Sequence, residues 1–182
     1  MARAAEFIEL ALKSTEAEFI RRCPFFFLLG DAIVARPDGP RDVDAFSATA
    51  TDPGDWGTDD TEVRDPVEAK ASSPLVLPVR KVQENFPSMI TVGRTRNNDI
   101  VLDDTSVSKF HAYFKLVEDR VELADAGSLA GTWIGEKRLV PKGPAYVVTA
   151  GDIVLFAHQE FQFMDAGACW VRVHALLGGA PT

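Results

Sequence analysis

Phe110-His111-Ala112-Tyr113-Phe114-Lys115-Leu116 alternates without a break. Phe110, Ala112, Phe114 and Leu116 take one side, and His111, Tyr113 and Lys115 take the other. This is the two-residue period of a strand with one buried face, so those four apolar side chains are expected inside a core. Working outward, short stretches of the same kind recur at 75–81, 89–94, 99–102, 110–117, 120–124, 131–134, 145–148, 152–157, 160–165 and 169–176. Turn residues separate them, at Asn97-Asn98-Asp99, Asp103-Asp104, Glu118-Asp119, Asp125 to Ser128, Pro141 to Pro144, Gly151-Asp152 and Asp165 to Gly167. Many short strands without helices between them predict an all-β fold: two packed sheets, each burying its apolar face against the other. The twelve phenylalanines fit this, because most stand in short groups between turns.

The front of the chain reads differently. Over residues 4–22, Phe7, Ile8, Ala11, Leu12, Thr15, Phe19 and Ile20 recur at spacings of three and four, with Glu6, Glu9, Lys13, Glu16 and Arg21 on the other side. That pattern predicts an amphipathic helix whose apolar stripe needs a partner. Pro24 follows, then the apolar run Phe25-Phe26-Phe27-Leu28-Leu29 before Gly30. A run of this length is expected to be a strand-like segment buried beside the helix, and the pair is expected to pack on the β-rich unit or on a second copy of the chain.

Residues 37–74 are rich in Pro, Ser, Thr and acidic side chains. Between Asp38 and Glu68 stand ten of the 27 acidic residues and only two of the 19 basic ones, Arg41 and Arg64, so the formal charge of −8 belongs to this segment. Such a composition buries too little apolar surface to offset its ordering entropy, and it predicts a linker or long loop. The expected organisation is therefore an N-terminal unit (1–36), an acidic linker (37–74), a β-sandwich (75–176) and a short tail (177–182).

Composition and motifs exclude several function classes. No cluster of Lys and Arg faces a nucleic acid. No apolar run is long enough for a membrane span, and Glu6 and Glu9 interrupt the place of a signal-peptide core, so a cytoplasmic protein is expected. Cys23 and Cys169 form no CxxC pair and read as reduced, buried thiols, with a single disulfide between them as the other possibility. His111, His158 and His174 have no metal-ligand spacing, and neither GxSxG nor GxxxxGK[ST] occurs. No catalytic residue, metal or cofactor is expected.

One loop cluster remains. Gly93-Arg94 ends a predicted strand, Arg96, Asn97 and Asn98 follow, and Ser106, Ser108, Lys109 and His111 come next. Guanidinium, hydroxyl, ammonium and loop N–H groups on strand ends are the donors of an anion site. Singly, Arg94 reads as a surface charge, Ser108 as a turn hydroxyl and His111 as a residue bracing a loop.

Order and spacing join them. Ile90 to Asp104 (ITVGRTRNNDIVLDD) followed by Val107-Ser108-Lys109-Phe110-His111-Ala112 resembles the forkhead-associated (FHA) domain, whose pattern is Gly-Arg, an Asn-Asp-Ile/Val segment and Ser-x-x-His. Asp125-Ala126-Gly127-Ser128-Leu129-Ala130-Gly131-Thr132-Trp133-Ile134 resembles the family's Ser-x-Asn-Gly-Thr segment, and Gly151-Asp152-Ile153-Val154-Leu155-Phe156 its late Gly-Asp strand. The resemblance covers about residues 75–176. It implies a sandwich of about eleven strands that binds phosphothreonine peptides through loops at one end, with partners from a Ser/Thr kinase pathway. By the same resemblance, Arg94, Ser108 and Lys109 hold the phosphate or peptide, while Gly93, His111, Gly131 and Thr132 support the loops. Arg96, Asn98, Ala130 and Glu136 would line the rim.

The sequence departs from the family where an Asn normally precedes Gly-Thr and grips the peptide. Ala130 stands there, and Gly135-Glu136 replaces a further Asn-Gly. Two readings follow: a phosphothreonine reader with a weakened peptide clamp, or an interaction module that binds its partner independently of phosphate. A candidate ligand within the chain is the acidic segment itself, phosphorylated at Thr58 or Thr61.

Overall fold

The computed structural model describes residues 2–31 and 74–177. Of the expected linker 37–74, all but Pro74 lies outside the described residues, Thr58 and Thr61 included, as does the tail after Leu177. The described chain runs α1 (Ala2–Lys13), α2 (Glu16–Arg22), β1 (Phe26–Asp31), β2 (Pro74–Val79), β3 (Ile90–Gly93), β4 (Ile100–Val101), β5 (Ala112–Val117), β6 (Arg120–Asp125), β7 (Thr132–Ile134), β8 (Lys137–Arg138), β9 (Tyr146–Val148), β10 (Ile153–Phe156), β11 (Gln159–Met164) and α3 (Ala166–Leu177).

Six strands form one sheet in the order β2-β1-β11-β10-β7-β8, and five form the other as β4-β3-β5-β6-β9. All pairings are antiparallel except β3 with β4. The expected two-sheet sandwich of eleven strands is the observed fold.

Its first core lies between the sheets, where Leu28, Val92, Phe114, Leu123, Val154, Phe156, Phe161 and Phe163 pack together. A second core lies on the outer face of the six-stranded sheet. There Phe7 and Ala11 of α1, Phe19 of α2 and Cys169, Trp170 and Val173 of α3 close over Phe27, Leu29, Val76 and Met164. The run Phe25 to Leu29 is apolar throughout because β1 is covered on both faces: Leu28 points into the sandwich, Phe27 and Leu29 into the helical layer.

The division at residues 36 and 74 therefore cuts a single sheet. β1 sits between β2 and β11, in register from Phe26↔Val79 to Asp31↔Pro74. The predicted single helix 4–22 is two helices. Ser14 bonds back to the Leu10 carbonyl (2.7 Å), and Thr15 caps α2 by accepting from Glu18 N (3.3 Å). Trp170 Nε1 donates to the freed Ser14 carbonyl at 3.0 Å, so α3 seals the break.

Two further expectations fail. Residues 169–176, expected as the last strand, are helix. Asp165 caps that helix by accepting from Ala168 N (2.8 Å), and its buried residues Ala166, Cys169, Trp170 and Val173 follow the helical period. The alternation of 110–116 also does not hold end to end. Ala112 and Phe114 are fully buried, but Phe110 is 37% and Leu116 61% exposed. Phe110 lies before β5 begins. Leu116 lies past Ile90↔Phe114, the last pair with β3, and so lacks a neighbour on that side.

Candidate functional site

Three loops meet at one end of the sandwich: 94–99 after β3, 102–111 before β5 and 126–131 before β7. Gly93 starts the first. A Cβ there would strike the Lys109 carbonyl and lie 2.8 Å from Asn98 Nδ2, so only glycine lets the first two loops touch. Arg94 N donates to the Ser108 carbonyl (3.0 Å) and Arg94 Nε to the Val107 carbonyl (3.2 Å). This fixes the guanidinium while leaving its two Nη atoms without a bond among the described residues.

Asn98, expected on the rim, is 3% exposed. Its Nδ2 donates to the carbonyls of Thr95 (2.8 Å) and Lys109 (2.7 Å), so it braces the loops from inside. Arg96 is exposed at the tip, and its carbonyl accepts from Gln83 Nε2 at 3.2 Å.

His111 is fully buried and ties the second loop to the third. Its Nδ1 accepts from Ser108 N (3.1 Å), which leaves Nε2–H to donate to the Gly131 carbonyl (2.8 Å). Burial pushes its pKa below the ordinary value of 6.5, against the opposing pull of the Gly131 bond and the Asp125 charge. The imidazole is therefore held neutral, in a single tautomer. The Ser108 hydroxyl accepts from Leu129 N at 3.1 Å, and its own hydrogen has no acceptor among the described residues.

The third loop is wound around Asp125. Its carboxylate accepts from Gly127 N (2.7 Å), Ser128 N (2.8 Å), the Ser128 hydroxyl (2.5 Å) and the Thr132 hydroxyl (2.7 Å). Burial pushes this carboxyl up, but those bonds outweigh it and hold its pKa below the usual 3.8. The Ser128 hydroxyl in turn accepts from Gly131 N (3.0 Å). Gly131 takes φ +95°, where a side chain would be strained and would also strike Trp133. Ala130 is half-buried and packs on the central core. Leu129 stands 92% exposed beside Ser108.

Arg94, Ser108, Lys109 and Ala130 are thus gathered at one end, with Gly93, His111, Gly131 and Thr132 as the frame. Glu136 does not join them. It occupies the β7–β8 turn, at the far end of β7 from Gly131 and about 10 Å along the strand. Among the described residues no group of His, Cys, Asp and Glu is arranged to hold a metal ion. Cys23 and Cys169 are free and buried; burial pushes the Cys169 thiol up to about 12, leaving it inert. No helix among the described residues is long and apolar enough to cross a membrane.

Residues 90–157, the span holding all three loops, match the family model of the FHA domain. This segment is an FHA domain. Among curated relatives, the oxoglutarate dehydrogenase inhibitor of Corynebacterium glutamicum is 42% identical over 78 residues, 43% of this chain and 52% of that one. The glycogen accumulation regulator GarA of Mycobacterium tuberculosis is 38% identical over 50 residues, 28% of this chain and 31% of that one. The chain spans about half the length, or less, of the curated relatives it matches. Among solved structures, Mycobacterium tuberculosis EmbR in complex with a low-affinity phosphopeptide shares 26% identity, with a TM-score of 0.42, over 50% of this chain and 21% of that one.

The two carboxylates that organise the FHA loops were not singled out in the sequence. Asp125 leaves a local trace, since Asp followed by Gly at +2 and Ser at +3 is the pattern of a side chain capping its own turn. Asp99 leaves none. Its fully buried carboxylate accepts from Val82 N (2.7 Å), Gln83 N (2.7 Å), Thr91 N (2.8 Å) and Lys81 Nζ (2.8 Å), partners 8 to 18 residues away.

Proposed function

We propose that this chain is a non-catalytic interaction module that binds phosphothreonine in a partner protein through Arg94, Ser108 and Lys109. One observation carries the reading. Donors of three kinds, the Arg94 guanidinium, the Ser108 hydroxyl and the exposed Lys109, stand on two bonded loops that a buried His111 ties to the third. A phosphate with nearly two charges and several acceptor oxygens needs such a set, and a site that is already ordered loses little entropy on binding. The names of the matched relatives, an inhibitor and a regulator, support a regulatory role. The partner is a substrate of a Ser/Thr kinase.

Ala130 favours the second reading, in which the partner binds independently of phosphate. Its side chain donates nothing, and it leans on the core. Titration calorimetry with a phosphothreonine peptide pool and its unphosphorylated twin separates the two. Phosphate-dependent binding in the micromolar range or weaker, about −8 kcal/mol or less in magnitude, is the expected result. Equal binding of both pools sinks the phosphate reading.

The acidic segment is a candidate ligand of the same site. Thr58 stands beside Asp59-Asp60 and Thr61 beside Glu62, and a tethered phosphothreonine gains effective concentration, on the order of millimolar. Installing phosphothreonine at 58 and then 61 should shift the backbone amides of Arg94, Ser108 and Lys109. Unmoved amides in both variants, where a free phosphopeptide does move them, end the self-docking idea alone.

A further inference from the structure

Beside Lys109 the surface turns aromatic. The rings of Phe86 and Phe110 stack at 5.7 Å with planes 3° apart, and Tyr113 continues the row 6.3 Å from Phe110. Phe86 is 52% and Phe110 37% exposed. The far end of the row is closed by Lys115, whose Nζ lies 5.4 Å from the Tyr113 ring. Phe86 holds φ +50°, a left-handed conformation that is costly for a bulky side chain.

The surrounding loop fixes it there. Lys81 Nζ donates to the carbonyls of Asn85 (2.5 Å) and Met89 (2.9 Å), Met89 N donates to the Phe86 carbonyl (2.9 Å), and Asn85 Nδ2 donates to Asn97 O (3.0 Å) in the loop that carries Arg94 and Arg96. A rigid, strained loop thus presents a half-exposed ring against the anion-site loops on both sides, since Phe110 directly follows Lys109. Strain of this kind is characteristic of ligand clamps.

We infer that this aromatic ledge is the selective half of the ligand site: it receives an aromatic or large apolar side chain of the phosphopeptide, a few residues from the phosphothreonine. The inference rests on the phosphothreonine reading above. Two half-exposed rings leave roughly 200 Å² in reach of a partner. That is far below the ~800 Å² per side of a stable dimer, so a second copy of the chain is a poor occupant and a single side chain a good one. Phe110 follows Lys109 in the chain, and Asn85, next to Phe86, is bonded to Asn97, next to Arg96, so the ledge lies beside the loops that would hold the phosphate. Phe86 lies outside the matched segment 90–157, so this selectivity belongs to this chain's own β2–β3 loop.

The test is calorimetry on the full chain. The ligands are a phosphothreonine peptide in an alanine background, and versions with one Phe at each of the three positions on either side, every peptide having its unphosphorylated twin. The wild type is compared with Phe86→Gly, which removes the ring and relieves the left-handed backbone, so it should fold with an unchanged or higher melting temperature. Phe86→Asn, also at ease with that backbone, repeats the comparison. At one position Phe should tighten binding about five- to tenfold, only in the wild type, while both variants keep wild-type affinity for the alanine peptide. No gain at any position, or a gain that survives both variants, overturns the ledge. If the alanine phosphopeptide and its twin bind alike, the phosphate reading fails instead. A Phe gain seen without phosphate would then leave the ledge standing, and no gain would remove both.

Discussion

The hydroxyl of Ser108 holds the amide of Leu129 and has one hydrogen left to give. Ser108→Ala removes the donor without unfolding the loops, because Ser108 N and O keep their bonds to His111 and Arg94. Its loss, like that of Arg94→Ala, should weaken phosphopeptide binding about tenfold or more by calorimetry, as expected for a bond to a charged group. Ala130→Asn should strengthen binding by restoring a side-chain donor, and unchanged affinity would show that the missing amide is not the defect. His111 makes a second prediction. Its folded pKa is depressed, so below about 6.5 the unfolded chain takes up a proton that the native chain refuses, and stability falls as pH falls through that window. Chemical denaturation midpoints should be level above pH 7 and decline below about 6.5, and His111→Gln should flatten that decline. Arg94, Ser108, Lys109 and His111 were legible in the sequence because their spacing is short and ordered. Asp99 was not, because nothing near it in the chain shows what it holds.

The strand β1 shows what an element gains from cover on both faces. Phe27 is fully buried, with the rings of Phe7, Phe19 and Phe25 within 5.2–5.7 Å of its own. Phe27→Ala should cost about 3–5 kcal/mol, read as a lowered denaturant midpoint at unchanged slope. Truncation of residues 2–31 should cost more than stability. It bares β11 and the apolar face of α3, and aggregation is the expected outcome. At this scale the sequence was readable where periods were clean, as in β5 and β6. It misled at α3, where a strand was expected over 169–176 and the deciding facts were a cap at Asp165 and the packing of Trp170 against α1 and α2. Asp165→Ala should lower stability by about 1 kcal/mol.

Across the whole molecule, two buried carboxylates hold the loop end together. Asp99 and Asp125 both lie below the ordinary value: burial raises each, and the hydrogen bonds they accept overcome it. Their stabilisation is complete above about pH 4 and is lost as pH falls through the depressed folded values, because only the unfolded chain binds protons in between. Acid unfolding followed by the signal of Trp133, one residue past Thr132, should therefore show a second decline distinct from that of His111.

The antiparallel pair of β1 and β2 closes with Asp31 opposite Pro74, so the chain leaves the sheet and returns to it at adjacent points. Everything between is, for the sheet, a detour whose two ends are already stitched. A surgeon of this chain could join Asp31 to Pro74 through a two-residue Asn-Gly turn, the shortest bridge natural to such a pair. The shortened protein should keep its circular dichroism spectrum and its phosphopeptide affinity. It would carry neither Thr58 nor Thr61, so any difference in affinity from the parent would measure directly how far the excised stretch competes for the loops.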